Sequence, residues 1–250
     1  MKKMNTLIAL LTFVLFSFQS NAQQFEGTIN IKSSDKEGLN AVFTLKKHMV
    51  KMEAKTEEGL MTIITNKRTG DKTTLIDNGE EKTGFKQNRA NQPAKIRESL
   101  QKKAPKEESK VSIQITEETK TIGDYECYKV TGKDEQVETE AWVAKDLKLS
   151  MADLFSVVNM KQKEKDAYQK AFGENGFILE MKTKNLASEE EKSMTAKVEE
   201  SEIEDSAFDI PEGYEFTDLT DIQTLMKDAA GNAEKLQEIR KAILKSRSGN

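Results

Sequence analysis

The chain is 250 residues long, with 39 basic and 43 acidic side chains, one histidine, one cysteine and one tryptophan. Its formal net charge of −4 argues against a nucleic-acid partner, whose phosphates demand a basic face. The lone cysteine excludes an intramolecular disulfide, so the fold rests on an apolar core, which a chain of this size is able to build.

The N-terminus reads MKKMNTLIALLTFVLFSFQSNAQQ. Lys2 and Lys3 form a positive region, Leu7 to Phe18 an apolar run, and Ser20 and Ala22 the small residues of a cleavage site. That order predicts a signal peptide over residues 1–22. The run is shorter than the roughly 20 apolar residues of a membrane span, and no second run of spanning length follows it. Gln23, not cysteine, follows the predicted cut, which gives lipid anchoring through an N-terminal cysteine no support. The expectation is an exported protein of the periplasm or the medium that does not span a membrane.

From Phe25 onward apolar and polar residues alternate. QFEGTINIKSS sets Phe25, Gly27, Ile29 and Ile31 on one face, NAVFTLKK does so with Ala41, Phe43 and Leu45, and HMVKMEA with Val50, Met52 and Ala54. LMTIITNK and KTTLIDN follow, joined by the turn RTGD, and Asp77–Asn78–Gly79 marks the turn before EKTGFKQ. Residues 88–110 hold Pro93, Pro105 and many interleaved charges, which predict a solvated loop with a short helix around 94–103. Strands resume with KVSIQITEET, TIGDYECYKV and ETEAWVAKDL, and end with FILEMKTKN and SMTAKVEES around the polar turn ASEEEK. One buried and one wetter face per strand is the habit of antiparallel sheets, and the short spacings predict hairpins.

Two segments carry helical spacing instead. Residues 151–172 place Leu154, Val157 and Val158 on one face. Residues 217–250 hold two apolar stripes, one around Leu219 to Ala229 and one through Leu236, Ile239 and Ile243, with Thr220 and Gln223 in capping-box spacing. These helices are the natural cover for the apolar face of a sheet domain spanning 23–216.

No residue set spells out a reaction. His48 is the only histidine, so a histidine-based metal site lacks a second ligand and a nucleophile–histidine arrangement has only His48 to use. The glycines are scattered at turns, with no phosphate-cradling loop. A carboxylate pair remains open as a hydrolytic site, although no pair stands out among so many solvated acids. The expectation is a non-enzymatic protein with no cofactor, no metal and no catalytic residue. The methionines, Met49, Met52, Met61, Met151, Met160, Met181, Met194 and Met226, suit either an irregular core or an adaptable apolar pocket.

The run Ile122-Gly123-Asp124-Tyr125-Glu126-Cys127, followed by Trp142-Val143-Ala144-Lys145-Asp146-Leu147 and by FDIPEGYEF at 208–216, resembles the DUF4412 family of exported proteins common in Bacteroidota. Asp124 stands between the glycine and the tyrosine of the family's pattern. Related families look similar to the periplasmic lipoprotein-carrier fold. The resemblance therefore implies a mainly β, α+β architecture: a curved antiparallel half-barrel whose helices close its concave face over acyl chains. On that expectation a lipid or other hydrophobic or amphiphilic molecule is held by Phe43, Met52, Met61, Ile63, Trp142, Leu154, Val158 and Met181. Cys127 and Trp142 themselves read as a core hairpin that staples two strands. The alternative is a structural or protein-interaction component of the cell envelope with a packed core.

Overall fold

The computed structural model describes residues 25–35, 40–88, 112–149, 151–154, 157 and 176–220. They form twelve strands: β1 (Gly27–Ser33), β2 (Ala41–Lys46), β3 (Met49–Thr56), β4 (Gly59–Asn66), β5 (Lys72–Asp77), β6 (Lys82–Gln87), β7 (Ser112–Ile122), β8 (Tyr125–Lys133), β9 (Val137–Ala144), β10 (Phe177–Asn185), β11 (Glu191–Glu200) and β12 (Glu215–Asp218). Every segment with period-2 alternation is a strand. The predicted leader, the loop at 89–110 and most of the two helical segments lie outside the described residues.

All twelve strands join one sheet in the order β12-β6-β5-β4-β3-β2-β1-β11-β10-β9-β8-β7. Two antiparallel meanders, β1 to β6 and β7 to β11, meet where β1 pairs with β11. After β11 the chain passes through a 3-10 turn, Asp205–Phe208, and crosses to the far edge. It therefore arrives at β6 in parallel, the orientation a crossover permits and a hairpin does not. Asx turns fix the hairpin registers: Asn66 Oδ1 accepts from the N–H of Arg68 at 3.0 Å, and Asp134 Oδ1 accepts from those of Gln136 and Val137 at 2.8 and 2.7 Å.

The pleat stacks like side chains into rows across the sheet. Ile29, Phe43, Met52, Ile63, Thr74 and Phe85 are successive cross-strand partners from β1 to β6, and Ile31, Ala41, Ala54, Met61 and Ile76 form the row beside them. Both rows belong to one apolar cluster in which Ile29 and Phe43 have no exposure at all. At the β8–β10 end, a bulge between Ile178 and Glu180 re-aims the chain. Phe177 and Leu179 join the main cluster, while Ile178 joins Val130, Ala141 and Val143 in a second one.

The helical cover expected over a half-barrel is corrected by the structure. The described residues form an open sheet with two edges, β12 and β7, and among them no helix closes a concave face. The segment read as helix from 151 begins with one turn, α1 (Met151–Leu154), and the Val157 N–H then donates to the Leu154 carbonyl at 3.0 Å. That three-residue closure is a tight turn, and residues 158–172 of the expected helix lie outside the described residues. The apolar spacing of Leu154 and Val157 serves to bury both in the main cluster beside Leu147 and Leu149. At the C-terminal side, Thr217 and Asp218 pair with Phe85 and Lys86 as strand, and Leu219 is buried.

Candidate functional site

Five of the eight residues expected to contact a ligand, Phe43, Met52, Met61, Ile63 and Leu154, are buried in the main cluster. The register makes Phe43, Met52 and Ile63 direct neighbours, with Met61 one row away. Val158 lies outside the described residues. The remaining two, Trp142 and Met181, are only partly buried and stand apart from the others. Trp142 packs at the margin of the main cluster and Met181 against the second.

Those two residues line a groove of about 240 Å³ together with Lys120, Glu140, Glu180 and Lys182. Cross-strand pairing builds it: Trp142 on β9 faces Lys129 on β8 and Glu180 on β10. The Lys120 ammonium stands 4.4 Å from the indole centroid and that of Lys129 5.8 Å from it, a cation–π arrangement. Lys120 also pairs with Glu180 at 2.5 Å, and Lys129 with Glu140 at 3.0 Å and Glu118 at 3.3 Å. The hydrogen bond that the Lys129 ammonium donates to Glu140 is the main reason its pKa is held above the usual range. The groove therefore offers an aromatic plane and a thioether, ringed by charges of both signs.

The neighbouring Cys127 is fully buried beside Ala144, and its thiol donates to the Tyr125 carbonyl at 3.6 Å. Burial pushes the thiol above its ordinary pKa, which suits a structural side chain and not a nucleophile. Burial, then Glu200, also raises Tyr125.

A second cleft, about 540 Å³, is lined by Phe25, Glu26, Lys46, Lys47, Lys148, Glu200, Ser201 and Glu202. Lys46 anchors it. Its ammonium pairs with Asp205 at 2.9 Å and Glu26 at 3.8 Å, and donates to the Ile203 carbonyl. The Asp205 hydrogen bond raises Lys46, and in turn Asp205 is lowered. Sequence reasoning singled out neither Lys46 nor Lys120. Their partners lie 157 residues away at Ile203 and 60 residues away at Glu180, and no local pattern joins them. His48 occupies the turn between β2 and β3, where its carbonyl accepts from the Lys67 N–H at 2.7 Å.

A model of the family described as a domain of unknown function, DUF4412, matches residues 25–214. The chain belongs to the DUF4412 family. The match runs from Phe25, two residues before β1, to Tyr214 of the FDIPEGYEF segment, so it takes in the whole sheet except β12. No curated protein matches this DUF4412 chain. Among solved structures it is similar to PNGF-II in two crystal forms, both at 14% identity, with TM-scores of 0.39 and 0.38 over 83% and 89% of this chain. It spans only about a third of PNGF-II, 34% and 33% of that chain. A DUF1329 family protein from Desulfovibrio piger is similar at 11% identity and a TM-score of 0.17, over 74% of this chain and 88% of its own. At such scores the DUF4412 fold is read from its own strands alone.

Proposed function

We propose that this DUF4412 protein is exported and non-enzymatic, and that it binds a small amphiphilic molecule in the groove over Trp142. The reading is carried by the meeting of Trp142 and Met181 with Lys120, Lys182, Glu140 and Glu180 around one 240 Å³ space. An apolar ring or short chain lies against the indole and thioether, and its head group exchanges with one partner of the Lys120–Glu180 pair. Ligand sites of drug size run to roughly 300–1,000 Å³, so this groove takes a ring or a few methylenes, not a whole lipid. Export rests on the Lys2–Ala22 leader pattern.

Trp142 is the only tryptophan in the chain, so its emission reports on this groove alone. Titration with hexanoate and with hexylamine, which share a tail and differ in head charge, is expected to give a saturable change with one of them. If hexanoate is that probe, Lys120→Ala should weaken the response at least tenfold; if hexylamine is, Glu180→Ala should do so. No saturable change with either probe would count against the groove.

A second reading, an envelope component that acts through protein contacts, is supported by the burial of the sheet's apolar rows. Ile29, Phe43, Val50 and Phe177 have no exposure. Side chains packed to that degree hold a core together and leave an acyl chain no surface there.

A further inference from the structure

The two edges of the sheet are unequal. β12 has four residues and pairs in parallel, whereas β7 has eleven. Exposed edges present unpaired backbone groups, and soluble proteins guard them with charges, bulges or short length. The second half of β7 is guarded in this way: an irregularity falls between Ile115 and Thr119, and Glu117, Glu118 and Lys120 cluster there. The first half, Ser112-Ile113-Gln114-Ile115-Thr116, has no charge and no proline. Ser112 to Ile115 pair regularly with β8, the one neighbour of β7 among the described strands, and Thr116 begins the irregular stretch. Its two isoleucines are exposed, Ile113 at 38% and Ile115 at 60%, the latter the largest value among the exposed large apolar residues described.

We propose that this edge pairs with β7 of a second copy of the chain, antiparallel, about a two-fold axis through Gln114. An axis through one residue sets each residue before it against its counterpart after it. Centred on Gln114, the pairing opposes Ile113 to the partner copy's Ile115 and Ser112 to its Thr116. Within Ser112–Thr116 all four exposed isoleucines then meet in cross-strand contact, and no charge is opposed to a like charge or to an apolar side chain. Because Ile115 is the partner of Val130 on β8, this contact also continues the second apolar cluster across the axis. Centring on Ile115 or Thr116 sets an isoleucine against Glu117, and centring on Glu117 or Glu118 sets a carboxylate against its own copy. Centring on Thr119 pairs Glu118 with Lys120, but it runs the interface through the irregular stretch and leaves the isoleucines exposed. The inference is independent of the groove over Trp142.

Five residue pairs make a small, concentration-dependent interface, so covalent trapping is the suitable test. Directly opposed antiparallel residues have Cα atoms about 4.5–5.5 Å apart, within disulfide reach. The full chain carrying Gln114→Cys is expected to form a disulfide dimer under mild oxidation. Wild type should not, because Cys127 is fully buried. Adding Ile115→Lys to the Gln114→Cys chain should abolish the cross-link and leave the thermal midpoint unchanged, since residue 115 is exposed in the single chain. A cross-link at Thr119→Cys and none at Gln114→Cys overturns this register. A monomer with no cross-link, or an open ladder of higher oligomers in place of a dimer, overturns the pairing itself.

Discussion

The β1–β6 meander and the β8–β10 end of the sheet solve the same packing problem differently. In the meander the cross-strand rows send most apolar side chains to one face, and Thr44, Lys51, Ile64, Thr73 and Lys86 form a row on the other, where only Ile64 and, in the next row, Leu75 are buried apolar residues. At the β8–β10 end both faces hold buried residues: Cys127 and Ala144 in one cluster, and Val130, Ala141 and Val143 in the other. Strict alternation is enough to build a one-sided sheet. A two-sided stretch needs more, and here it uses the bulge at Leu179 and a web of ion pairs around Trp142. Stability should therefore be concentrated in the meander, while the β8–β10 end carries the chemistry that a partner molecule meets.

Phe43→Ala tests the first half of that contrast most severely. Phe43 sits in mid-row between Ile29 and Met52 with no exposure, and truncation of such a side chain costs about 3–5 kcal/mol. Urea denaturation should show that loss, whereas Trp142→Phe, at the half-buried margin, should cost about 1 kcal/mol or less. Next comes Gly59→Ala. Gly59 has φ 121°, and an added Cβ would lie 2.3 Å from the Asp77 carbonyl oxygen, which belongs to backbone that cannot swing aside. A loss of about 2–3 kcal/mol is expected by the same assay. By contrast, the nearest atoms an added Cβ meets in Gly84→Ala belong to the half-exposed Phe216 ring, a side chain and not backbone, so the change should cost less.

Alternation is a local signal, and the strands were legible for that reason: Ile29 and Ile31, or Val50 and Met52, declare their face within a few residues. The turns were legible from Asp77–Asn78–Gly79 and from the RTGD run at 68–71; the Asp77 side chain closes the first, and Asn66, which no sequence signal singled out, closes the second. What joins distant parts was not. Neither the β1–β11 seam nor the parallel return of β12 to β6 leaves a mark in the sequence, because each depends on where the chain travels between strands. Leu154 and Val157 have helical spacing, and both are buried in the main cluster, a contact the spacing alone does not name. The run Phe177-Ile178-Leu179 hides a bulge, as three consecutive apolar residues carry no period. The site shared this fate. Trp142 was visible as a rare residue, but its partners Lys120 and Glu180 depend on strand order and on that bulge.

Cys127 probes the two-faced end at high pH. Burial raises its folded pKa above the ordinary 9.0. Between those two values the unfolded chain's thiol ionises while the folded one keeps its proton, so unfolding releases a proton and stability falls as pH rises. The contribution is fully present below pH 9.0 and is lost through the folded value. Cys127→Ala removes this dependence. The variant should be about 1 kcal/mol less stable than wild type at pH 7, and the gap should narrow as pH rises above 9.0. Taking the difference between the two proteins cancels Tyr125 and Tyr128, which titrate in the same direction. A gap that stays constant with pH would show that the thiol is hydrated in the folded protein.

The smallest effect is expected at Lys129, which joins Glu118 and Glu140 beside the indole. Exposed ion pairs contribute little, because water screens the attraction and holding two long side chains in register costs entropy. Lys129→Met also leaves the two carboxylates without their shared cation, and their repulsion acts only while salt is dilute. The Debye length is roughly 30 Å at 0.01 M and 3 Å at 1 M, so a modest loss at low salt should vanish at high salt. Thermal midpoints of both proteins across that range separate the two explanations for any loss. Convergence at 1 M salt assigns it to charge, and a gap that persists assigns it to the packing of the Lys129 stem against Trp142. The second outcome would make the Trp142 end part of the stabilising framework, and the division of labour between the two regions would then be one of degree.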